Sequence, residues 1–363
     1  MTENVYIHIP FCKRKCKYCS FISYPKIELK EKYLNALKYE IANKYKQEEL
    51  KTIYFGGGTP SLLLPEEFKD IITLFRMNKN TEMTVELNPE NLDERYLTEL
   101  KNIGINRISL GCQTFDDSIL KLIGRGHTSN HVINIVKIAQ NIGFDNISLD
   151  FIYGLPTQTI DGFTKDLKTA INLGVKHISL YGLKIDEGCY FYNHMPQNLP
   201  NDDIQAQMYL KAIEILTDNN YEHYEISNFS VKNYESRHNL NYWNNNSYYG
   251  FGVAAHGYLD GIRYSNPTTI EKYIKNPEGA QEKHKLTPQE QLEEEIFLGF
   301  RRTEGINIQE INDKFNIDFN DKYKNIIRKY TQSGHLEKTP AGYKLTVAGI
   351  LVSNYILSDF IDL

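Results

Sequence analysis

The sequence predicts an α/β protein whose N-terminal part is a partial barrel of about six strand–helix units. Apolar segments typical of buried strands alternate with amphipathic helical segments at least five times between residues 1 and about 190, and this alternation indicates βαβ units and a parallel sheet. Polar side chains stand at the strand ends, where such barrels build their sites. Beyond about residue 191 the alternation stops, and a mostly helical segment with a hairpin ends the chain.

The 363 residues suffice for two or three domains, which we place at 1–190, 191–275 and 286–363 with a polar linker between the last two. The net charge of −5 disfavours general nucleic-acid binding. No run approaches the ~18 apolar residues of a membrane span, and the first residues do not resemble a signal peptide. We therefore expect a cytoplasmic protein without an integral membrane segment.

The predicted strands of the barrel are short and rich in β-branched residues. They cover residues 5–9, 52–55, 83–89, 107–113, 146–156 and 177–183. The helices between them are predicted at residues 29–47, 65–75, 92–103, 116–123, 130–142 and 160–173.

The later part of the chain has fewer strands. A helix is predicted at 202–219 and one strand at 221–229. Further helices are predicted at 287–300, 308–315, 323–333 and 348–361, with a wing-like hairpin at 336–346.

Three of the five cysteines, Cys12, Cys16 and Cys19, lie within eight residues in the spacing C-x3-C-x2-C. A loop this short can wrap three thiolates around one metal centre without long-range folding. Three thiolates can hold a [4Fe–4S] cube and leave one iron open to a non-protein ligand. The alternative is a zinc loop, which usually needs four ligands and would have to recruit His8 or a distant residue.

Polar and glycine residues after the next strands suit a zwitterionic nucleoside ligand. Glu86 can accept from an ammonium group, and Arg125 can clamp a carboxylate. Gln113 and Asp150 suit ribose hydroxyls, and the glycines of Gly57-Gly58-Thr59 allow close backbone approach. Taken singly, the glycines are explained equally well by a tight turn. For Arg125 and Asp150 alone, a surface charge and a hydrogen-bonded strand residue are the favoured explanations.

Two strings and one spacing, in the correct order along the chain, resemble the radical S-adenosylmethionine (SAM) superfamily. The strings are YIHIPFCKRKCKYC at 6–19 and GGGTP at 56–60, and the spacing is the twelve-residue step from Gln113 to Arg125. Within it they resemble the oxygen-independent coproporphyrinogen III oxidase-like family and its HemW-type heme-chaperone branch. The resemblance implies a TIM-like radical SAM barrel, a [4Fe–4S] cluster held by Cys12, Cys16 and Cys19, and SAM on the open iron. The SAM contacts that it implies are Tyr6, Tyr18, Gly57, Gly58, Thr59, Glu86, Gln113, Arg125 and Asp150.

A second motif, HNLNYW at 238–243, contains the only tryptophan of the chain. A histidine among aromatic residues can ligate heme iron, although composition alone favours an ordinary interior histidine. The string matches the HNxxYW motif of the heme-chaperone branch, and this match implies that His238 ligates heme. His256 is the second candidate. The resemblance also implies a winged-helix-like C-terminal domain, which we interpret as a lid or interaction domain.

Two departures from the oxidase pattern favour a chaperone. The oxidases carry a fourth cysteine two residues after the third, where this chain has Phe21, and an extension ahead of the first strand. The resemblance therefore implies a heme chaperone that delivers heme to hemoproteins such as respiratory cytochromes, with an electron donor for the cluster. A coproporphyrinogen III oxidase of porphyrin biosynthesis and a regulatory protein with a vestigial site are the alternatives. Cleavage of SAM, peripheral membrane association and a monomeric or dimeric state stay open.

Overall fold

The computed structural model describes residues 2–361, apart from the side chain of Asn91. The strands of this part of the chain are β1 (Asn4–Ile9), β2 (Glu49–Gly57), β3 (Arg76–Leu87), β4 (Arg107–Gln113), β5 (Asn146–Tyr153), β6 (His177–Gly182), β7 (Glu222–Glu225), β8 (Asn228–Ser230), β9 (Tyr249–Phe251), β10 (His256–Leu259), β11 (Ile262–Ser265), β12 (Glu282–Lys285), β13 (Ile306–Asn307), β14 (Leu336–Lys338) and β15 (Gly342–Leu345).

The helices follow the strands of the barrel and dominate the C-terminal part. They are α1 (Lys30–Lys44), α2 (Pro65–Ile72), α3 (Glu94–Asn102), α4 (Asp117–Leu122), α5 (Ser129–Ile142), α6 (Ile160–Asn172), α7 (Tyr190–Asn193), α8 (Asp202–Asp218), α9 (Arg237–Trp243), α10 (Ile270–Lys275), α11 (Pro288–Gly299), α12 (Ile308–Phe315), α13 (Phe319–Lys322), α14 (Lys324–Gln332), α15 (Val347–Leu351) and α16 (Ser353–Ser358).

The main sheet has nine strands in the order β7-β8-β6-β5-β4-β3-β2-β1-β9. Strands β1 to β6 are parallel neighbours in chain order, which confirms the predicted partial barrel of six units. Strand β9 adds to the β1 edge in parallel, and β8 adds to the β6 edge in antiparallel orientation. Segment 191–275 therefore extends the barrel at both edges.

The apolar residues that alternate along β1 in the sequence are the ones buried outside the barrel wall. Val5, Ile7 and Ile9 of β1 are fully buried against the surrounding helices, and the intervening side chains point to the barrel interior because successive residues of a strand face opposite sides. The buried polar residues of strands β1 to β6, such as Thr52, Thr84 and Ser109, are therefore expected on the inside of the barrel.

Three predicted elements differ from the structure. The single strand at 221–229 is a hairpin, because the chain turns at Ile226 and Ser227 between β7 and β8. The linker at 276–285 ends in β12, which pairs with the free edge of β11 and gains backbone hydrogen bonds that composition does not reveal. The last helix is divided into α15 and α16 at Val352, whose φ of −119° and ψ of 23° are not helical.

The C-terminal segment packs around its own apolar core, which includes Ile296, Phe300, Phe319 and Phe360, together with Tyr209 of α8. Its sheet, β13-β15-β14, contains the predicted hairpin. No helix within residues 2–361 has the length and apolar character needed to cross a lipid bilayer.

Candidate functional site

A cavity of about 800 Å³ lies at the carboxyl ends of β2 to β6. Side chains of the barrel, the cysteine loop and the C-terminal segment line it. The predicted site residues in its wall are Cys12, Cys16, Tyr18, Cys19, Gly57, Gly58, Thr59, Glu86, Gln113, Arg125 and Asp150.

The cysteine loop is held over the cavity by backbone hydrogen bonds. Lys17 N donates to Ile123 O at 3.0 Å, and Cys19 N donates to Cys16 O at 3.2 Å. The Cys12 Sγ lies 3.3 Å from the Thr59 hydroxyl. Burial, more than any other influence, raises the pKa of the Cys19 thiol, so a bound cation would be needed to stabilise its thiolate.

Arg125 connects the loop to the barrel. Its guanidinium donates to Gly111 O at 2.8 Å and to Asn88 Oδ1 at 3.3 Å, and its Nη1 lies 3.6 Å from Cys16 Sγ. Burial opposes the charge of Arg125, but the nearby Tyr18 and Cys16 groups outweigh it and raise its pKa. The guanidinium is therefore a fixed cation beside the cluster loop.

Glu86 is held by two donors at the end of β3. Tyr54 Oη donates to its Oε1 at 2.8 Å, and Gly57 N donates to its Oε2 at 3.1 Å. Burial nevertheless raises the pKa of Glu86 to about 7. A cationic ligand group beside this carboxylate would favour its charged form.

Gly57 and Gln113 adopt left-handed backbone conformations where the chain borders the cavity. Gly57 has a φ of +112°, and an added Cβ would lie 2.5 Å from the His8 ring. Gln113 has a φ of +68° despite its side chain. Non-glycine residues in this region carry backbone strain, and this geometry coincides with an irregularity in the pairing of β4 with β5.

Asp150 lies in β5 between two serine hydroxyls. Ser109 Oγ lies 2.9 and 3.0 Å from its two carboxylate oxygens, and Ser148 Oγ lies 3.3 Å from one of them. Burial raises the pKa of Asp150, although these hydroxyls oppose the shift.

Tyr6 and His238 lie one layer deeper in the barrel, where each ring stacks on Tyr54 of the cavity wall. His238 is 1% exposed, and both ring nitrogens have partners. Its Nδ1 lies 2.7 Å from Thr52 Oγ1, and its Nε2 lies 2.8 Å from Tyr242 Oη. Burial lowers the pKa of His238 to about 3, so the ring is neutral.

The hydrogen-bond network assigns the tautomer of His238. The Thr52 hydroxyl donates to Asn4 Oδ1 at 2.8 Å, so its oxygen accepts the proton of His238 Nδ1. The lone pair of Nε2 then accepts from Tyr242 Oη. In this arrangement a tyrosine hydroxyl occupies the position that a metal would take on Nε2.

Several side chains that line the cavity were not predicted from the sequence, among them Arg107, Arg301 and Asn239. Arg107 could have been found by counting from Gln113, because residues 107, 109, 111 and 113 of β4 share one face. Asn239 follows His238 in the HNLNYW motif. Arg301 is far away in sequence and carries no comparable signal.

The donor set fits the implied cofactors. Three thiols, a carboxylate and a guanidinium line one cavity large enough for a nucleoside, and no fourth cysteine is present in the loop. No group of three or more His, Cys, Asp or Glu side chains in residues 2–361 is arranged to hold a single metal ion.

Comparisons with known proteins agree with this site. Residues 6–170 match the radical SAM superfamily, and residues 286–352 match the HemN C-terminal domain. The chain is 36% identical to the heme chaperone HemW of Bacillus subtilis, with 99% of both chains covered, and 35% identical to that of Lactococcus lactis, with 99% and 97% covered.

The fold also matches the solved structure of coproporphyrinogen III oxidase (HemN) from Escherichia coli. The TM-score is 0.87 at 20% identity, over 99% of this chain and 89% of that one. This likeness extends the agreement to the whole fold, including the C-terminal segment. The radical SAM superfamily implies a [4Fe–4S] cluster and SAM. With relatives of this identity along its full length, the chain belongs to the HemW family of radical SAM proteins.

Proposed function

We propose that this protein is a heme chaperone that carries a [4Fe–4S] cluster and SAM and delivers heme to hemoproteins such as respiratory cytochromes. The observation that carries the proposal is the full-length similarity to relatives named heme chaperones. Phe21 adds to it, because this side chain is 68% exposed in the cavity wall, at the position of the oxidases' fourth cysteine.

The cofactors would be held by the residues of the cavity. Cys12, Cys16 and Cys19 would ligate the cluster, which would supply the electron if the sulfonium of SAM is cleaved. Glu86 would accept from the ammonium group of SAM, and Arg125 would bind its carboxylate. The five cysteines, all within the described residues, form no disulfide, which suits the reducing cytoplasm in which we place the protein.

His238 is the proposed heme ligand, and the structure defines what its ligation requires. Nδ1–H is already fixed by Thr52, as a second partner usually fixes a metal-bound histidine. Only Nε2 could bind iron, and Tyr242 would have to withdraw its hydroxyl from that nitrogen. We infer that Tyr242, itself part of the HNLNYW motif, covers the ligand until heme arrives.

The test is a heme titration of anaerobically reconstituted protein, followed by the Soret band. His238→Ala should lose most of the binding, whereas Tyr242→Phe should keep or strengthen it because Nε2 loses its competing donor. His335→Ala, which removes a half-buried histidine of the C-terminal segment, is the control. If His256→Ala loses heme binding and His238→Ala does not, the heme ligand is His256 and not His238.

The alternative is a coproporphyrinogen III oxidase. It is favoured because all the predicted SAM contacts except Tyr6 line one cavity. The same samples should therefore be assayed for anaerobic oxidation of coproporphyrinogen III. Turnover with only loose heme binding would support the oxidase, whereas saturable heme binding without turnover would support the chaperone.

A further inference from the structure

Arg107 is a buried cation without a hydrogen-bonded anion among the described residues. It begins β4 and is 2% exposed, yet its side chain lines the cavity. Its Nε has no hydrogen-bond partner in residues 2–361. The hydroxyl of Thr84, its register partner on β3, is fully buried and also lacks a partner in that range. A buried charge is costly unless it is paired.

The nearest carboxylates do not satisfy Arg107. Glu86 and Asp150 are close enough for Arg107 to stabilise their charged forms. Neither forms a hydrogen bond or an ion pair with Arg107 in the described residues, however: Glu86 accepts from Tyr54 and Gly57, and Asp150 from the serines beside it. The guanidinium of Arg107 is thus left facing the cavity.

Arg301, just after α11, faces the same cavity from the C-terminal segment. Its Nε also has no hydrogen-bond partner among the described residues. The guanidinium carbon lies 5.6 Å from the ring centre of Trp243 and 5.1 Å from that of Phe297. Ile226, in the cavity wall, adds apolar surface beside this second cation.

We propose that Arg107 and Arg301 form a subsite that binds the propionate carboxylates of a porphyrin. An anionic ligand suits these two cations, because the Nε atom of each lacks a hydrogen-bond partner among the described residues. A large apolar body suits the aromatic and aliphatic side chains around Arg301. A porphyrin with two propionates meets both requirements. This assignment rests on the proposed heme-chaperone function and specifies the groups that would orient heme in the cavity.

The test compares heme with heme dimethyl ester, in which both carboxylates are blocked. Wild-type protein should bind heme more tightly than the ester. Arg107→Gln and Arg301→Gln should each weaken heme binding by about 10- to 100-fold, as expected for a lost hydrogen bond to a charged group, while ester binding stays unchanged. Arg95→Gln removes an exposed arginine that pairs with Glu99 on α3 and is the control.

SAM also contains a carboxylate, so its binding is measured on the same variants. Loss of SAM binding with unchanged heme binding would assign the anion to SAM and overturn the proposal. Equal weakening of heme and ester would indicate a general packing effect and would also overturn it. If Arg107→Gln does not fold, the comparison of heme with its ester uses Arg107→Lys and Arg301→Gln instead. Arg107→Lys keeps the buried charge, and Arg301 lies outside the barrel, so both variants are expected to fold.

A different outcome separates this proposal from the function on which it rests. If wild-type protein shows no saturable heme binding, the heme-chaperone function itself fails. If it binds heme and ester equally well, heme binding stands and only the propionate subsite is wrong.

Discussion

At the scale of single residues, the fold controls the charge of Glu86. The acid lies among the tyrosine and carboxylate groups of the barrel interior, and burial raises its pKa from 4.5 to about 7. The side chain can therefore exchange a proton near neutral pH without leaving its two hydrogen bonds. Its ionisation state, and with it the affinity for a cationic ligand group, depends on what occupies the cavity.

Glu86 should make the ligand-free protein less stable as the pH rises. The folded state holds the proton more tightly than the unfolded state, so this contribution is complete below pH 4.5 and is lost as the pH rises towards 7. Between pH 5 and 8, the free energy of unfolding of Glu86→Gln should rise relative to that of wild type by up to about 3 kcal/mol. Urea unfolding at several pH values measures the difference, and a difference independent of pH would contradict the prediction.

The three cysteines of the loop should be individually essential for the cluster. Cys12→Ala, Cys16→Ala and Cys19→Ala each remove one of three thiolates, and we expect none of them to reconstitute a stable [4Fe–4S] cluster. Absorbance and iron content after anaerobic reconstitution measure this. Cys189→Ala is the matched control, since that thiol lies outside the loop, in an apolar cluster against which Tyr18 packs. A normal spectrum in any loop variant would disprove the ligand assignment.

At the scale of elements, strand β2 ends in a glycine that the site requires for two reasons. Gly57 needs its positive φ, and the His8 ring fills the space where a side chain would begin. His8 is itself fixed, since its Nδ1 lies 3.0 Å from Tyr6 Oη and its Nε2 lies 3.0 Å from Ile22 O. The end of β2 and the cysteine loop are thus packed as one unit.

Gly57→Ala should be more destabilising than Gly143→Ala. Gly143, at the end of α5, also has a positive φ of +95°, but an added Cβ would meet nothing within 4 Å. Gly143→Ala should lower the free energy of unfolding by about 1 kcal/mol, because of backbone conformation alone. Gly57→Ala should cost a further ~1–3 kcal/mol from overpacking and should weaken SAM binding. Equal unfolding free energies for the two variants would show that His8 moves freely aside.

At the scale of the whole molecule, a buried carboxylate joins the barrel to the segment that extends it. Glu40 of α1 is fully buried. It accepts from Gly252 N at 2.9 Å, Asn266 Nδ2 at 2.8 Å and Tyr273 Oη at 2.6 Å. These three partners belong to the segment that places β9 beside β1. Lys44 Nζ, at 2.7 Å, balances the charge.

Glu40→Ala should therefore destabilise the protein by about 3–5 kcal/mol, the usual result of breaking a buried ion pair. Glu31→Ala removes an exposed acid from the same helix and should cost little. Urea unfolding monitored by circular dichroism compares the two. A cost below about 1 kcal/mol for Glu40→Ala would mean that apolar packing alone holds β9 on β1.

Features that depend on local order could be predicted from the amino-acid sequence. The C-x3-C-x2-C spacing places three thiols in one short loop, and the alternation of apolar residues indicates β1 to β6 because that periodicity follows from which faces are buried. The observed β4, Arg107–Gln113, coincides with the predicted strand. The HNLNYW string identified the family branch without revealing that it forms helix α9.

The contacts between distant segments could not be predicted in this way and are seen in the folded structure. In that structure, residues 221–229 form a hairpin, β9 pairs with β1, and Thr52 contacts His238, which is 186 positions away. Arg301 also lines the cavity that contains Arg107. The physical reason is that strand partners and buried polar contacts are chosen by packing and by the need to satisfy hydrogen bonds across the whole molecule, and neither leaves a periodic signal in the local sequence.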